Sequence, residues 1–311
     1  MISIPKQFAF QSLALTVLGL LCGLANCSAA LAWQEAEEGR KPIELRLWQG
    51  DAPEQAGQEK NDIPTAIVYL PEKSEEPCGA IVIYPGGGYG GLAMGHEGHE
   101  IAQWANSIGM AGVIVNYRHR GKGYGHPCPM LDAQRAIRLT RHHANEWKVD
   151  PNRVGVMGFS AGGHLTTTVL THFDAGQKSA EDPIDTQSCR PDFGVVCYAV
   201  VAFDQPYTHR GSQRNLLGSE ASKELVDSLS NEKQVRKDTP PCFVWHTAED
   251  KVVPAENGLV FYSALVQKGV PAELHVFPKG RHGIGLGAKV PGANQWPKLC
   301  RAWLERNGFA K

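Results

Sequence analysis

Ser160 is flanked by glycines two residues away on each side, in the run Gly158-Phe159-Ser160-Ala161-Gly162-Gly163. Those residue types at that spacing suit one task. A serine hydroxyl that attacks a carbonyl must stand out on a sharp turn, and the glycines let neighbouring chain pass close to it. The apolar run Val154-Gly155-Val156-Met157 precedes the turn, and a helix-compatible stretch from Ala161 to Thr171 follows it. That context places Ser160 at a helix N-terminus, where free N–H groups and the helix dipole favour a developing negative charge. A glycine turn of purely structural purpose is the competing reading; the flanking strand and helix favour the nucleophile.

Serine is a poor nucleophile near neutral pH and needs a base, which in turn needs an orienting acid. Where a strand–Ser–helix turn carries such a triad, the chain order is Ser, then acid, then His. Downstream of Ser160 stand His164, His172, His209, His246, His275 and His282. Only His282 falls in a loop after the last expected strand, within Gly280-Arg281-His282-Gly283. His164 is on the nucleophile's own helix, His275 inside a strand and His246 at a strand end, where packing or hydrogen bonding is their expected use. For the acid, Asp250 follows the strand-like Phe243-Val244-Trp245-His246 and precedes the helix leading to the His282 strand. Its neighbour Glu249 and the more distant Asp204 are the competitors. A third requirement is a set of donors for the tetrahedral oxyanion. Pro85-Gly86-Gly87-Gly88-Tyr89 follows a buried strand, and its glycines can turn backbone N–H groups toward one point. The N–H of Ala161, next after the nucleophile, is the partner donor. A phosphate loop is excluded: no Gly-Lys-Ser/Thr follows, and the spacing is not Gly-x-Gly-x-x-Gly.

Other chemistry-bearing clusters point nowhere further. In His96-Glu97-Gly98-His99-Glu100 the histidines are three apart, not the four that bring both to one helix face around zinc. The expectation is a structural or pocket-rim role, with no metal. No pair of cysteines has Cys-x-x-Cys spacing. Arg118-His119-Arg120 reads as a solvated loop or an ion-pairing cluster rather than a nucleic-acid contact. No cofactor is required.

The elements that must position these residues alternate. Ile43–Trp48 and Thr65–Leu70 read as strands, with a turn-rich loop over 51–64 between them. Ala80–Tyr84 is a continuous apolar run, as expected of a strand buried on both faces. A helix over 97–108, a strand over 111–115 and a helix from Asp132, as its cap, to about Trp147 follow. After the 154–157 strand and the 161–171 helix come strands at 195–201, 242–246 and 272–277, and helices at 256–268 and 295–306. Such alternation builds a mostly parallel sheet with helices on both faces. The stretch from His172 to Pro241 holds one clear strand and a short helix at 221–230. It is expected above the strand ends, where it could shape or cover a pocket. Tyr89 and Tyr124 are expected there too, Tyr89 as a substrate-binding residue.

The chain has 311 residues, 42% hydrophobic and 20% charged, with a formal net charge of −1. That length suits one large domain. The charge balance gives no long-range field to gather nucleic acid or anionic lipid, and points to a neutral substrate. Lys6, an apolar run over 13–24 and Ala30-Leu31-Ala32 follow the order of a secretory signal peptide, too short to span a bilayer comfortably. The expected division is a signal peptide over 1–32 and a single catalytic domain over 33–311. The product would be periplasmic or extracellular, with no stable membrane association after cleavage. An uncleaved anchor and a lipid anchor at Cys27 are the alternatives. Six cysteines would then remain, at 78, 128, 189, 197, 242 and 300. Their compartment allows disulfides, but spacing leaves the pairing open. The oligomeric state is likewise open.

Tyr84-Pro85-Gly86-Gly87-Gly88-Tyr89, Asp132-Ala133-Gln134-Arg135-Ala136-Ile137-Arg138, the Ser160 motif through His164-Leu165, His246-Thr247-Ala248-Glu249-Asp250 and Gly280-Arg281-His282-Gly283 together resemble a known family. It is that of secreted bacterial acetyl-xylan esterase and feruloyl-esterase-like α/β-hydrolases, relatives of the hormone-sensitive-lipase group. The likeness runs from about Ile43 to the C-terminus. It implies the α/β-hydrolase fold, a Ser160–His282–Asp250 triad, and oxyanion donors from Gly87, Gly88 and Ala161. Lipase-like relatives carry His-Gly-Gly-Gly where this chain has Pro85, which favours the carbohydrate-esterase branch. The implied substrate is an acylated carbohydrate, with acetyl as the acyl group, or another small ester. A feruloyl or general short-chain esterase, a peptidase or amidase on the same triad, and a non-catalytic binding protein on this scaffold are the rivals.

Overall fold

The computed structural model describes Met1, residues 41–72 and residues 76–311. Apart from Met1, the expected signal peptide, with Cys22 and Cys27, lies outside the described residues. Pro42–Lys311 forms one compact unit.

Among the described residues eight strands build one sheet: β1 (Ile43–Arg46), β2 (Thr65–Tyr69), β3 (Cys78–Tyr84), β4 (Ala111–Asn116), β5 (Val149–Phe159), β6 (Gly194–Cys197), β7 (Cys242–Thr247) and β8 (Ala272–Phe277). Their spatial order is β1-β2-β4-β3-β5-β6-β7-β8. β2 runs antiparallel to β1 and β4. Every other neighbouring pair is parallel. This is the α/β-hydrolase architecture that the alternation and the resemblance lead one to expect.

The burial pattern explains the sequence pattern. β1 alternates half-buried and exposed residues, as a strand with one covered face should. β3 is buried throughout. Its Ala80, Val82 and Tyr84 join the core on one side of the sheet. Its Ile81 and Ile83 join the core on the other. Each fully buried Ile or Val side chain contributes about 1.5–3 kcal/mol.

Helices cover the sheet: α1 (Glu100–Ser107), α2 (Cys128–His142), α3 (Ala144–Trp147), α4 (Ala161–Thr171), α5 (Arg210–Leu217), α6 (Lys223–Ser228), α7 (Glu256–Gln267) and α8 (Trp296–Arg306). α2, α4 and α7 pack on the Val82 side. α1 and α8 pack on the Ile83 side, where Trp245 stacks on Trp296 at 4.9 Å between ring centroids.

Three local expectations need correction. Asp132 does not cap a helix. It lies inside α2 with its side chain fully buried, and its carboxylate takes the guanidinium of Arg118 at 2.7 Å and the Arg118 N–H at 2.7 Å. A buried arginine must be paired, and this pair consumes Asp132. α2 instead starts at Cys128 with a proline in its first turn, as helix starts favour. The strand expected to reach Val201 stops at Cys197: the Tyr198 N–H still donates to Trp245 O at 2.8 Å, but Tyr198 adopts φ 33° and the chain turns off, with Val200 N–H donating to Ser160 O instead. α5 had no apolar rhythm to announce it. Its first turn is closed by the His209 ring, which accepts from the Ser212 N–H. The six described cysteines are all buried and unpaired.

Candidate active site

Ser160 sits between the end of β5 and the start of α4, with φ 55° and ψ −120°. That region is costly for a residue with a Cβ, so the surroundings must hold it. The Ser160 N–H donates to Cys197 O at 3.1 Å, and Ser160 O accepts from Val200 N at 3.0 Å and His164 N at 3.1 Å. The flanking glycines now have an atomic reason. A Cβ at Gly158 would stand 2.2 Å from Gly162 O, and one at Gly162 would stand 2.0 Å from Tyr84 O.

Two further strand ends bring the partners. His282 follows β8, and its Nε2 lies 2.8 Å from Ser160 Oγ. Asp250 follows β7, and its Oδ2 lies 2.6 Å from His282 Nδ1. The other oxygen of Asp250 accepts the Val252 and Val253 N–H groups, each at 2.9 Å. Burial opposes ionisation of Asp250, but the imidazoles of His246 and His282 and the Val253 N–H outweigh it and hold its carboxyl well below the usual carboxylate range. His246 Nε2 lies 3.6 Å from Asp250 Oδ2 and is bonded to Val253 O at 2.8 Å. Glu249 is turned away, bonded to Lys279 at 2.5 Å and to the Gly280 N–H at 3.2 Å. Asp204 pairs with Lys233. Of the three acids weighed, only Asp250 meets His282.

The glycine loop after β3 completes the group. Gly87 and Gly88 have φ 136° and 64° and line the same cleft as Ser160 and His282. Their carbonyls are taken: Gly90 and Gly91 N–H groups bond Gly87 O at 3.0 and 3.1 Å, and Asn215 Nδ2 bonds Gly88 O at 2.8 Å. Their own N–H groups have no acceptor among the described residues.

The cleft has a volume of about 830 Å³, within the range of small-molecule sites. Its far wall is the segment from Arg281 to Val290, and His96, Glu97 and Val252 also line it. Sequence reasoning assigned nothing to that wall beyond His282, since the segment has neither strand nor helix periodicity. Of the 172–241 insertion, only His209 reaches the lining. Burial, and then His282, lower the His209 pKa. Its Nδ1 accepts from Ser212 N at 3.2 Å and meets Ser212 Oγ at 2.8 Å. The neutral ring therefore carries its proton on Nε2. No sequence signal marked it, because histidine is an uncommon cap.

Tyr89 is a correction. It does not line the cleft: it is 1% exposed, and its hydroxyl meets His164 Nδ1 at 2.9 Å. Its φ of 56° turns the side chain off the loop and into the core beside Tyr117. Tyr124 is buried as well, with its hydroxyl on Asp62 and the Ala56 N–H. Among the described residues no group of His, Cys, Asp or Glu is arranged to hold a metal ion. His96 and Glu97 do reach the pocket rim.

The sequence profile of the BD-FAE family matches residues 67–265. An acetylxylan esterase of Xylanibacter ruminicola is 36% identical over 246 residues, 77% of this chain and 47% of that protein. The endo-1,4-beta-xylanase B of Butyrivibrio fibrisolvens is 36% identical over 224 residues, 71% of this chain and 35% of that protein. The chain thus spans half or less of the length of these curated relatives. Among solved structures, the acetyl ester-xyloside bifunctional hydrolase from Caldicellulosiruptor lactoaceticus aligns with a TM-score of 0.83 at 42% identity, covering 88% of this chain and 99% of that one. The carboxylesterase Cest-2923 from Lactobacillus plantarum shares the fold, with a TM-score of 0.70 at 24% identity, covering 88% of this chain and 99% of that one. With its sheet order, its serine turn and this likeness together, the chain belongs to the BD-FAE family of the α/β-hydrolase fold.

Proposed function

We propose that this protein is a serine carboxylesterase that removes short acyl groups, acetyl above all, from acylated carbohydrate. One observation carries the reading: Asp250, His282 and Ser160 form a hydrogen-bonded line, with spacings of 2.6 and 2.8 Å, that opens onto a cleft floored by Gly87 and Gly88.

In this reading Ser160 Oγ attacks the ester carbonyl carbon, and its proton passes to His282 Nε2. Asp250 stays ionised, fixes the proton on Nδ1 and stabilises the imidazolium. The oxyanion takes hydrogen bonds from the N–H groups of Gly87, Gly88 and Ala161. Collapse breaks the ester C–O bond, and the alcohol leaves with the His282 proton. Water then attacks the acyl-serine, giving a proton to His282, and collapse releases the carboxylic acid and restores Ser160.

Several features support a carbohydrate ester. The curated relatives are named for acetylxylan and xylan, and the solved structure at 42% identity for acetyl ester and xyloside hydrolysis. His96, Glu100, Arg281 and Lys289 put polar groups at a cleft whose remaining wall is largely apolar, from Val252, Ile284, Leu286 and Val290, so hydroxyl-bearing and acyl parts of one ester can both be met there. The Nε2–H of His209 is available to a sugar or ester oxygen. Export to the periplasm or beyond, proposed from the N-terminal segment, agrees with a polymer or its fragments as substrate.

Initial rates on 4-nitrophenyl esters from acetate to decanoate test the reading, with acetylated xylan and methyl ferulate alongside. The expected result is fastest turnover of acetate, steep loss with chain length, and acetate release from xylan. Rates that rise with acyl length, or activity confined to ferulate, would overturn the substrate.

A further inference from the structure

The motif His96-Glu97-Gly98-His99 forms one turn of π-helix, Gly95–His99, between the glycine loop and α1. Single π turns of this kind recur at functional sites. Glu97 within it is only 3% exposed, and a buried carboxylate is costly unless its oxygens are used. Both are. Glu97 Oε2 accepts the Gly86 N–H at 2.8 Å. Glu97 Oε1 accepts the Tyr198 hydroxyl at 2.7 Å. The Tyr198 oxygen in turn accepts the Gly285 N–H at 3.0 Å, so its own proton is committed to Glu97. Burial, and then the negative Glu97, hold the Tyr198 phenol well above its ordinary pKa, which keeps that proton in place.

The two ends of this chain matter. Gly86 immediately precedes Gly87 and Gly88, and Gly285 stands three residues after His282. The packing is tight at both. A Cβ at Gly86 would lie 2.6 Å from Glu97 Oε2 and 2.9 Å from Ser160 Cβ, and one at Gly285 would lie 2.6 Å from His96 O. The Tyr198 ring also meets the His282 ring edge to face, 5.2 Å between centroids.

We infer that Glu97 is a positioning residue, which through Tyr198 locks the loop of the oxyanion donors and the loop of the catalytic base into one frame. It touches no reacting atom. The inference rests on the triad proposed above. Two loops from opposite sides of Ser160 must agree in position to a fraction of an ångström, since a 1 Å misplacement can cost about a hundredfold in rate. The shared carboxylate supplies that agreement.

The test compares wild type, Glu97→Gln, Glu97→Ala, Tyr198→Phe and the Glu97→Ala/Tyr198→Phe double variant on 4-nitrophenyl acetate. Rates are expressed per active site titrated with a fluorophosphonate, so misfolded protein does not count. The expected result is a kcat about 30- to 100-fold lower for Glu97→Ala with KM within about threefold, because the loss falls on the transition state. Glu97→Gln, which keeps one acceptor, should recover part of it. The double variant should lose no more than about threefold beyond Glu97→Ala, since both changes cut one chain. Wild-type kcat per titrated site in Glu97→Ala, a loss in KM alone, or effects that multiply in the double variant would overturn the inference. Failure of wild type to take up the probe would overturn the triad reading itself, and this one with it; labelling of wild type but not of Ser160→Ala separates the two.

Discussion

Replacing Asp250 by asparagine should stop turnover without unfolding the protein, for a reason visible in the hydrogen bonds. One carboxylate oxygen of Asp250 accepts two backbone N–H groups, from Val252 and Val253, both at 2.9 Å. The other faces His282 Nδ1 at 2.6 Å. In Asp250→Asn the single carboxamide oxygen must stay with the backbone donors, which puts the NH₂ against Nδ1. Two donors cannot face each other, so the neutral ring moves its proton to Nε2. That nitrogen then points a hydrogen at Ser160 Oγ and cannot accept one. Loss of the correct tautomer in a serine triad lowers kcat by about 10⁴-fold, or roughly 5.5 kcal/mol of barrier. Glu249→Gln is the control. Its carboxylate is on the surface with Lys279, and its removal should change kcat by less than about threefold. Steady-state hydrolysis of 4-nitrophenyl acetate by both variants, with circular dichroism to confirm folding, decides the matter. Turnover by Asp250→Asn within about tenfold of wild type, or a larger loss in Glu249→Gln, would refute this assignment of the acid.

Other expectations follow from packing and burial. Tyr89→Phe should leave KM unchanged but lower stability by about 1–3 kcal/mol, measured by urea unfolding, because it strands the buried His164 Nδ1; a raised KM at wild-type stability would restore Tyr89 to the pocket. Gly162→Ala should cost about 3 kcal/mol or more, read as a lowered Tm, because the new Cβ meets the Tyr84 carbonyl at 2.0 Å and backbone cannot move aside. His164 is pushed down to about 3 by burial. The unfolded chain therefore takes up this proton first as pH falls from about 6.5, and the stability His164 contributes is full above that pH and declines toward pH 3. Between about pH 6 and 5 the slope of unfolding free energy should flatten by about 1 kcal/mol per pH unit in His164→Gln, and equal slopes would exclude it.

The most legible parts were those where one residue type answers one constraint. Only glycine fits at 158 and 162, where a Cβ would strike a carbonyl oxygen, so the turn was written plainly. Strands buried on both faces, such as Ile81 to Tyr84, leave a short, largely β-branched apolar run too brief for a helix of ordinary length. Other features depended on where distant chain arrives. Tyr89 follows the glycine loop in sequence, yet a positive φ sends it to the core. Asp132 has the type of a helix cap, but Arg118 claims it from another element. Glu97 reads in sequence as a structural or rim acid, and its importance is apparent only once Gly86 and Tyr198 converge on it. The wall after His282 has no periodicity at all.

The central claim is that Ser160 is the nucleophile, and the hydrolysis of 4-nitrophenyl acetate by folded Ser160→Ala tests it most directly. The account predicts a kcat lower by about 10⁶-fold, as when a triad serine is removed. A Ser160→Ala protein that turned over ester at the wild-type rate would contradict it.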